Sequence, residues 1–396
     1  MALKTECQVR IANLQQQLQR KELDGALILY PIDLYYFAGT RQNGMLWVPQ
    51  SGEPLLLIRK SLTRARQESC IDDLRPFPSS RQLTELVGRP GQRIGLTCDV
   101  LPIAQLDYLK KVLPEREFVD ISGINRNLRS VKSPFEVEKI RHAGEQLSKV
   151  FAQVPDFYQP GMREVDLAAE FECRSRKLGS EGYVRMRAYN QELFQGLLVA
   201  GGSANQPGFF DGAVTGCGLS AASPHGASTA VIRPDMPLMV DYTAVYDGYI
   251  VDMSRIFVPG SIHPDVQHAF DTALEIQRQV IAALRPGAIA SELFDLASSI
   301  AAEAGLGECF MGVPGEQAKF VGHGVGLELD EMPVLAKGFD VPLQQNQTIA
   351  IEPKFLLDGH GVVGIENTWA VDPEGGIRLS PADDRIVTLP AQGEPS

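Results

Sequence analysis

Residues 238–258 read LMVDYTAVYDGYIVDMSRIFV, and the pattern within them predicts a β-hairpin. Their β-branched and aromatic residues favour strands, and Asp247-Gly248 at the centre is a strong signal for a two-residue turn. A turn at these two residues would place Asp241 and Asp252 on one face as diagonal neighbours, with Cβ atoms roughly 7–8 Å apart. A three-residue loop would instead put them on opposite faces. The two-residue turn therefore predicts a pair of carboxylates able to converge on one or two cations.

A second predicted hairpin also brings two acids together. Strand-like segments at 348–357 and 362–369 are joined through the three-residue loop 358–360, which has glycine at its centre. In that register Glu352 lies directly opposite Glu366, with Cβ atoms roughly 5 Å apart. Two like charges facing each other across a sheet are destabilising unless a cation or a proton lies between them.

One histidine lies between the two hairpins in the sequence. It is His323, within the glycine-rich run FVGHGVGL at 320–327. Each acid alone is more often a solvated or salt-bridged strand residue, and a lone histidine is more often structural. The glycines fit no phosphate loop, because no Lys-Ser or Lys-Thr follows and the spacing matches no dinucleotide fingerprint. Four carboxylates and one imidazole together suit a pair of divalent ions such as Mn, Fe, Co or Zn, roughly 3.5–4 Å apart.

Composition and charge limit the classes of function. The chain has 396 residues, of which 44% are hydrophobic and 22% charged, so two globular domains are expected. The net charge of −12, with no basic run longer than two residues, argues against nucleic acid or an anionic membrane as a partner. No segment is apolar enough for a membrane span, and the N-terminus resembles no secretory signal. Six widely spaced cysteines without a C-x-x-C pair predict reduced thiols in a cytoplasmic protein, and no cysteine-held zinc.

The order of predicted elements indicates two domains. Residues 1–129 begin with an amphipathic helix at 5–22 and continue as alternating strands and helices, which is typical of an α/β domain. The second domain is predicted at 130–396 and opens with a long helix, because Ser133 can cap it and Pro134 suits its first position. The strands of the first domain are predicted at 25–30, 45–49, 54–58, 93–97 and 117–119, and its second helix at 102–112.

Taken in order, these motifs resemble those of the pita-bread metallohydrolases. That family includes Xaa-Pro aminopeptidases, prolidases and, more distantly, methionine aminopeptidases and creatinase. The motifs that carry the resemblance are VDYTAVYDGYIVDMSR at 240–255, GHGVGLE at 322–328, IEP at 351–353, GIENT at 364–368, VKSPFE at 131–136 and SPHG at 223–226. The resemblance covers essentially the whole chain. It implies a creatinase-type α/β N-terminal domain followed by an α+β pita-bread (creatinase/aminopeptidase-like) catalytic domain.

The same resemblance implies a set of five metal ligands. They are Asp241, Asp252, His323, Glu352 and Glu366. Asp252 and Glu366 would bridge both ions, with Asp241 on one ion and His323 and Glu352 on the other. Glu352 would also accept the proton of the bridging water as general base.

On the substrate side the chain matches the family at one position and departs from it at two. His225 matches the histidine that lines the substrate and contacts the scissile group. Seven residues after His323, where prolidase-related peptidases usually have a second histidine, this chain has Asp330. An ionised carboxylate at this substrate-binding position would repel a developing oxyanion. Two residues before Glu366, where many prolidase-like members carry arginine, it has Gly364.

The resemblance implies a metal-dependent aminopeptidase or dipeptidase of the Xaa-Pro class. It would hydrolyse the N-terminal bond of a short peptide with a hydroxide that bridges two ions, with manganese as the first expectation, and it would form a homodimer. A second interpretation, favoured by Asp330 and Gly364, is a hydrolase or lyase of a small nitrogenous or acidic metabolite, since one fold hosts several chemistries. A third is a binding or regulatory protein with a vestigial site, against which the five matching ligands argue.

Overall fold

The computed structural model describes residues 2–187 and 193–391. The chain divides into two compact units, Met1–Arg129 and Ser130–Ser396. The first unit is α/β and the second is α+β, so the predicted fold class is confirmed. No helix within the described ranges combines the length and the apolar character that crossing a bilayer requires.

The first unit is built on a mixed sheet of six strands. In chain order its elements are α1 (Ala2–Arg20), β1 (Gly25–Ile28), α2 (Pro31–Ala38), β2 (Gly44–Pro49), β3 (Leu55–Ile58), α3 (Leu62–Glu68), β4 (Asp73–Pro76), α4 (Ser80–Leu86), β5 (Arg93–Leu96), α5 (Ile103–Val112), β6 (Glu117–Asp120) and α6 (Ser122–Ser130). The strand order is β4-β3-β2-β1-β5-β6. The strands predicted from sequence are present. The sequence did not predict α2, because its segment PIDLYYFA is buried on nearly all sides and so lacks helical periodicity.

The second unit contains three sheets and five helices within the described residues. Its elements are α7 (Pro134–Ala152), α8 (Val154–Phe157), α9 (Glu164–Lys177), β7 (Gly196–Ala200), β8 (Leu238–Tyr246), β9 (Tyr249–Pro259), α10 (Pro264–Ala283), α11 (Ala290–Glu303), β10 (Phe320–Gly324), β11 (Glu331–Ala336), β12 (Thr348–Ile351), β13 (Lys354–Leu357), β14 (Gly361–Gly364), β15 (Asn367–Ala370), β16 (Ile377–Arg378) and β17 (Val387–Leu389). The sheets have the orders β17-β9-β8-β7, β11-β10-β12-β15-β16 and β13-β14. Apolar side chains of α10 and α11 share one core with the sheet residues.

The first predicted hairpin is confirmed residue by residue. Strands β8 and β9 are antiparallel, and Thr243 pairs with Asp252 while Asp241 pairs with Ser254. The turn residues Asp247 and Gly248 both have positive φ, 50° and 81°, as a two-residue type I′ turn requires. Because side chains alternate along a strand, Asp241 and Asp252 share one face of this hairpin.

The second predicted hairpin has the expected register but not the expected continuity. Lys354 pairs with Gly364 in one ladder and Ile351 pairs with Asn367 in another, so the same register runs through both. The predicted single strands are nevertheless each broken in two, and the two ladders belong to different sheets. Pro353 lies at the break and has no N–H to donate to a ladder. The two predicted glutamates lie in this break, between the ladders.

The long helix that opens the second unit begins as predicted. The Ser133 hydroxyl accepts a hydrogen bond from the Glu136 N–H, and the Glu136 carboxylate accepts one from the Ser133 N–H. This reciprocal capping satisfies two N–H groups that the first turn would otherwise leave free. Helix α7 ends at Ala152, and Pro155 lies in the separate turn α8, because proline has no N–H and cannot continue the hydrogen-bond pattern.

Replacing the capping serine should destabilise the second unit. We expect Ser133→Ala to lower the free energy of unfolding by about 1 kcal/mol, because the Glu136 N–H loses its acceptor. Urea denaturation followed by circular dichroism measures this. Ser148→Ala, on the same helix but bonded only to the Gly144 carbonyl, is the matched control and should change stability by less than about 0.5 kcal/mol. Equal effects of the two substitutions would contradict the capping role.

Candidate metal centre

The four carboxylates and the histidine singled out by the sequence lie together in the second unit. They come from β8, β9, β10 and the two breaks that separate β12 from β13 and β14 from β15. All are at least nine-tenths buried: Asp241 8%, Asp252 6%, His323 6%, Glu352 6% and Glu366 1% exposed. Ionised groups are buried at this depth only when they are paired or bind a metal.

The imidazole of His323 faces three carboxylates. Its Nε2 lies 3.6 Å from Glu352 Oε1 and 3.8 Å from both Asp252 Oδ2 and Glu366 Oε1. Ligand atoms of Asp252, His323 and Glu366 all lie within 4.8 Å of one another. Donors about 2.0–2.2 Å from a shared ion are separated by distances of this size, so the donor set fits a divalent cation.

A lysine that the sequence analysis missed lies in the same cluster. Lys354 is 3% exposed, and its Nζ donates to Asp241 Oδ2 and Glu352 Oε2 at 2.7 Å and to Glu366 Oε2 at 3.0 Å. The signal that could have revealed it is its position two residues after Glu352, because residues i and i+2 of an extended segment point to the same side.

Burial and crowding of the carboxylates shift their pKa values strongly. Burial raises the pKa of Asp252 well above its usual range, and the charges of Glu366 and Asp241 raise it further. Burial also raises the pKa values of Asp241 and Glu352, although the nearby ammonium opposes this. For Lys354 the three carboxylates outweigh burial and raise its pKa well above the usual value. The cluster is therefore a place where positive charge is strongly stabilised.

The second nitrogen of His323 contacts Asp330. Nδ1 lies 3.1 Å from Asp330 Oδ1, on the other edge of the ring from the nitrogen that faces the carboxylates. Burial opposes protonation of His323, but the charge of Asp330, followed by Glu366, Glu352 and Asp252, raises its pKa well above the usual value. Asp330 was predicted as a substrate-binding residue. It does line the cleft, and its direct contact is with the imidazole.

A cleft of about 600 Å³, measured out to its open mouth, leads to the cluster. Its walls are largely apolar and include Leu193, Leu197, Phe210 and Leu329. His225 is half-buried in this wall, with its ring edge-to-face against Phe210 at a centroid distance of 5.5 Å. Burial lowers the pKa of His225 below its usual value, which favours the neutral form of the side chain.

Two polar residues tie the hairpins together beneath the cluster. The Asp252 N–H donates to Thr368 Oγ1 at 3.1 Å, and the Thr368 hydroxyl donates to the Asp252 carbonyl at 2.9 Å. The buried guanidinium of Arg255 donates to the Glu366 carbonyl at 2.9 Å and to Asn367 Oδ1 at 2.8 Å. These bonds fix the distance between acids that lie more than a hundred residues apart in the chain.

Every residue that the sequence proposed for the site lines this one cleft. The set is His225, Asp241, Asp252, His323, Asp330, Glu352 and Glu366. A buried cluster of carboxylates and an imidazole at the end of an open cleft is the type of site that metal-dependent hydrolases use.

Comparison with protein families agrees with this geometry. Residues 138–373 match the model of metallopeptidase family M24. Residues 10–131 match the creatinase/prolidase N-terminal domain. The first match spans more than half of the chain, so this protein belongs to metallopeptidase family M24 and is a metal-dependent hydrolase.

Individual relatives align along almost the whole chain. The Xaa-Pro dipeptidase of Pyrococcus furiosus is 25% identical over 382 residues, which is 96% of this chain and 99% of that protein. The probable dipeptidase PepE of Mycobacterium tuberculosis is 26% identical over 385 residues, 93% of this chain and 92% of that protein.

Solved structures share the fold. Dipeptidase PepE from Mycobacterium ulcerans superposes with a TM-score of 0.80 at 24% identity, over 98% of this chain and 99% of that chain. The prolidase from Pyrococcus horikoshii gives 0.78 at 24% identity, over 94% and 98%. The predicted combination of a creatinase-type domain with a pita-bread domain is therefore confirmed.

The contact between His323 and Asp330 predicts an effect on metal binding. Carboxylates that hold a ligand histidine typically change metal affinity about 10- to 100-fold when removed. We expect Asp330→Ala to weaken Mn²⁺ binding by that factor in a calorimetric titration. Asp330→Asn should recover part of the loss, because its amide oxygen can still accept from Nδ1–H.

The control for this titration is Asp358→Ala, at the exposed loop between β13 and β14. It should leave Mn²⁺ affinity unchanged. An unchanged affinity in Asp330→Ala would show that the carboxylate does not orient the histidine.

Proposed function

We propose that this protein is an aminopeptidase or dipeptidase of the Xaa-Pro class, which removes the first residue of a short peptide that has proline second. The observation that carries the proposal is the buried cluster of four carboxylates and one imidazole at the end of an open cleft. Support for the substrate class comes from relatives of nearly equal length, including the Xaa-Pro dipeptidase of Pyrococcus furiosus.

We propose the five clustered side chains as the ligands of divalent metal, with manganese as the first expectation. Four carboxylates and one imidazole form an oxygen-rich set that suits Mn²⁺, and the sequence predicts two ions for it. A divalent ion bound here would polarise the scissile carbonyl and make water more acidic. Its identity in the cell depends on metal availability as well as on these ligands.

Three side chains of the cleft have proposed roles in the reaction. Glu352 is the proposed general base, because its carboxylate lies both in the cluster and on the cleft and can accept a proton from the attacking water. His225 is the proposed contact to the scissile group, and its neutral ring can donate or accept one hydrogen bond there. Asp330 holds His323 and, as a cleft residue, also faces the substrate.

The shape and charge of the cleft suit a short peptide with a free amino group. Its apolar wall can bury the side chain or the proline ring of a small peptide. Its inner end is rich in carboxylates, which attract a cationic amine. Because of the acidic inner end, we propose that the substrate enters amine first. A homodimer and a cytoplasmic location remain predictions from the sequence.

The general base can be tested by an isosteric substitution. We expect Glu352→Gln to lose nearly all turnover while the fold survives, because an amide cannot accept the proton of the attacking water. Steady-state kinetics on a cleaved peptide, with circular dichroism as the check on folding, measure this. The matched control is Glu136→Gln, a buried glutamate of the helix cap, where the glutamine side chain can still accept from the Ser133 N–H. Near-parental turnover of Glu352→Gln would contradict the assignment.

The substrate class can be tested by a mass-spectrometric screen of paired peptides. Protein supplied with Mn²⁺ is incubated with short peptides that differ only in having proline or alanine second, each with a free and an acetylated amine. We expect loss of the first residue only from free-amine members with proline second. Cleavage regardless of proline would support the peptidase activity and contradict the specificity for proline. Survival of every peptide, in protein that holds its metal, would favour the hydrolase or lyase of small metabolites.

A further inference from the structure

Lys354 places a cation inside the proposed metal centre itself. A lysine ammonium has three N–H donors, and all three are directed to carboxylates of the cluster: Asp241 and Glu352 at 2.7 Å and Glu366 at 3.0 Å. Three of the five proposed metal ligands therefore also bind this ammonium.

The oxygen atoms of the two glutamates separate the cluster into two cation positions. Glu352 and Glu366 each direct Oε2 to the Lys354 ammonium. Each directs Oε1 toward His323 Nε2, at 3.6 and 3.8 Å. Asp241 belongs to the lysine side, and Asp252 Oδ2, 3.8 Å from the same nitrogen, belongs to the histidine side.

We propose that the centre binds one divalent ion, on the histidine side, and that the Lys354 ammonium takes the place of the second ion. This inference rests on the proposed metal site and replaces the two-ion prediction made from the sequence. An ion bound to the same three oxygens as Nζ would have to occupy nearly the same point in space. The two cations therefore exclude each other on the lysine side.

Gly364 leaves room for the backbone and side chain of Lys354. The two residues pair across the ladder, and a Cβ at Gly364 would clash with the Pro353 carbonyl oxygen and lie 2.8 Å from Lys354 Cα and 2.9 Å from its Cγ. A side chain at that position would thus press on the base and stem of the lysine. Glycine at 364, a departure from the arginine that the resembled family usually carries, leaves the space that the lysine stem uses.

Repulsion between neighbouring cations favours the same arrangement. One ammonium and one divalent ion place three positive charges among four buried carboxylates. Two divalent ions beside the ammonium would place five there, with like charges a few ångströms apart in a poorly solvated site. The cluster is one charge from neutrality in either case, so the repulsion between closely spaced cations, and not the net charge, favours the single ion.

Metal counting tests the proposal directly. The wild-type protein is saturated with Mn²⁺, freed of excess ion by gel filtration, and analysed by mass spectrometry of the metal. We expect one ion per chain, and the EPR spectrum of an isolated Mn²⁺ rather than that of an exchange-coupled pair. Lys354→Ala should hold two ions and give the coupled spectrum, because the lysine side is then open.

The matched control is Lys132→Ala, which removes another buried lysine of the same unit, paired with Glu331 at 3.0 Å. It should hold one ion, like the wild type. Two ions in the wild-type protein would overturn the inference while leaving the proposed metal site and peptidase function in place. No ion in the wild-type protein would overturn both. A Lys354→Ala protein that folds and still holds one ion would contradict the exclusion by lysine, and if that variant does not fold, the wild-type count and spectrum decide alone.

Discussion

Four carboxylates within one buried cluster repel one another, and the second unit is organised around the need to balance them. Moving a carboxylate from water into a protein interior costs several kcal/mol even after relaxation, and the cost rises when a second one is adjacent. Burial accordingly raises the pKa values of Asp241, Asp252 and Glu352. Positive charge is required in the same place. The ammonium of Lys354 supplies part of it, and a divalent ion held by the proposed ligand set, which His323 completes, would supply the rest.

The scaffold keeps these charges at fixed separation through backbone bonds. Thr368 exchanges two hydrogen bonds with Asp252, and Arg255 joins the carbonyls of Ser254 and Glu366. The two Thr368 bonds and the Arg255–Glu366 bond link the β8–β9 hairpin to the segment that follows β14. This preorganisation favours ion binding. If the ligands had to become ordered each time an ion bound, the free-energy cost of ordering them would lower the affinity.

The two departures from the resembled family are each accompanied by a specific contact. Asp330, where a histidine is usual, lies against Nδ1 of His323 and also lines the cleft. Gly364, where an arginine is common, lies opposite Lys354. The ladder therefore lacks the common arginine at position 364 and carries a lysine at the paired position 354. Both departures therefore lie beside charged groups of the same site.

The local features of this site were predictable from the sequence because a turn fixes the register of the strands it joins. The positive φ angles of Asp247 and Gly248 set the pairing that puts Asp241 and Asp252 on one face, and the loop 358–360 sets the register that relates Glu352 to Glu366. The break at Pro353, the left-handed conformation of Asp330 and the approach of Lys354 to three acids were not predicted. Of these, the contact between Lys354 and Asp241 joins segments more than a hundred residues apart, and pairing within one hairpin carries no information about the distance to another. Residue order therefore established which groups share a face, and packing between the sheets established which of those groups meet, because only packing brings two separate hairpins within hydrogen-bonding distance.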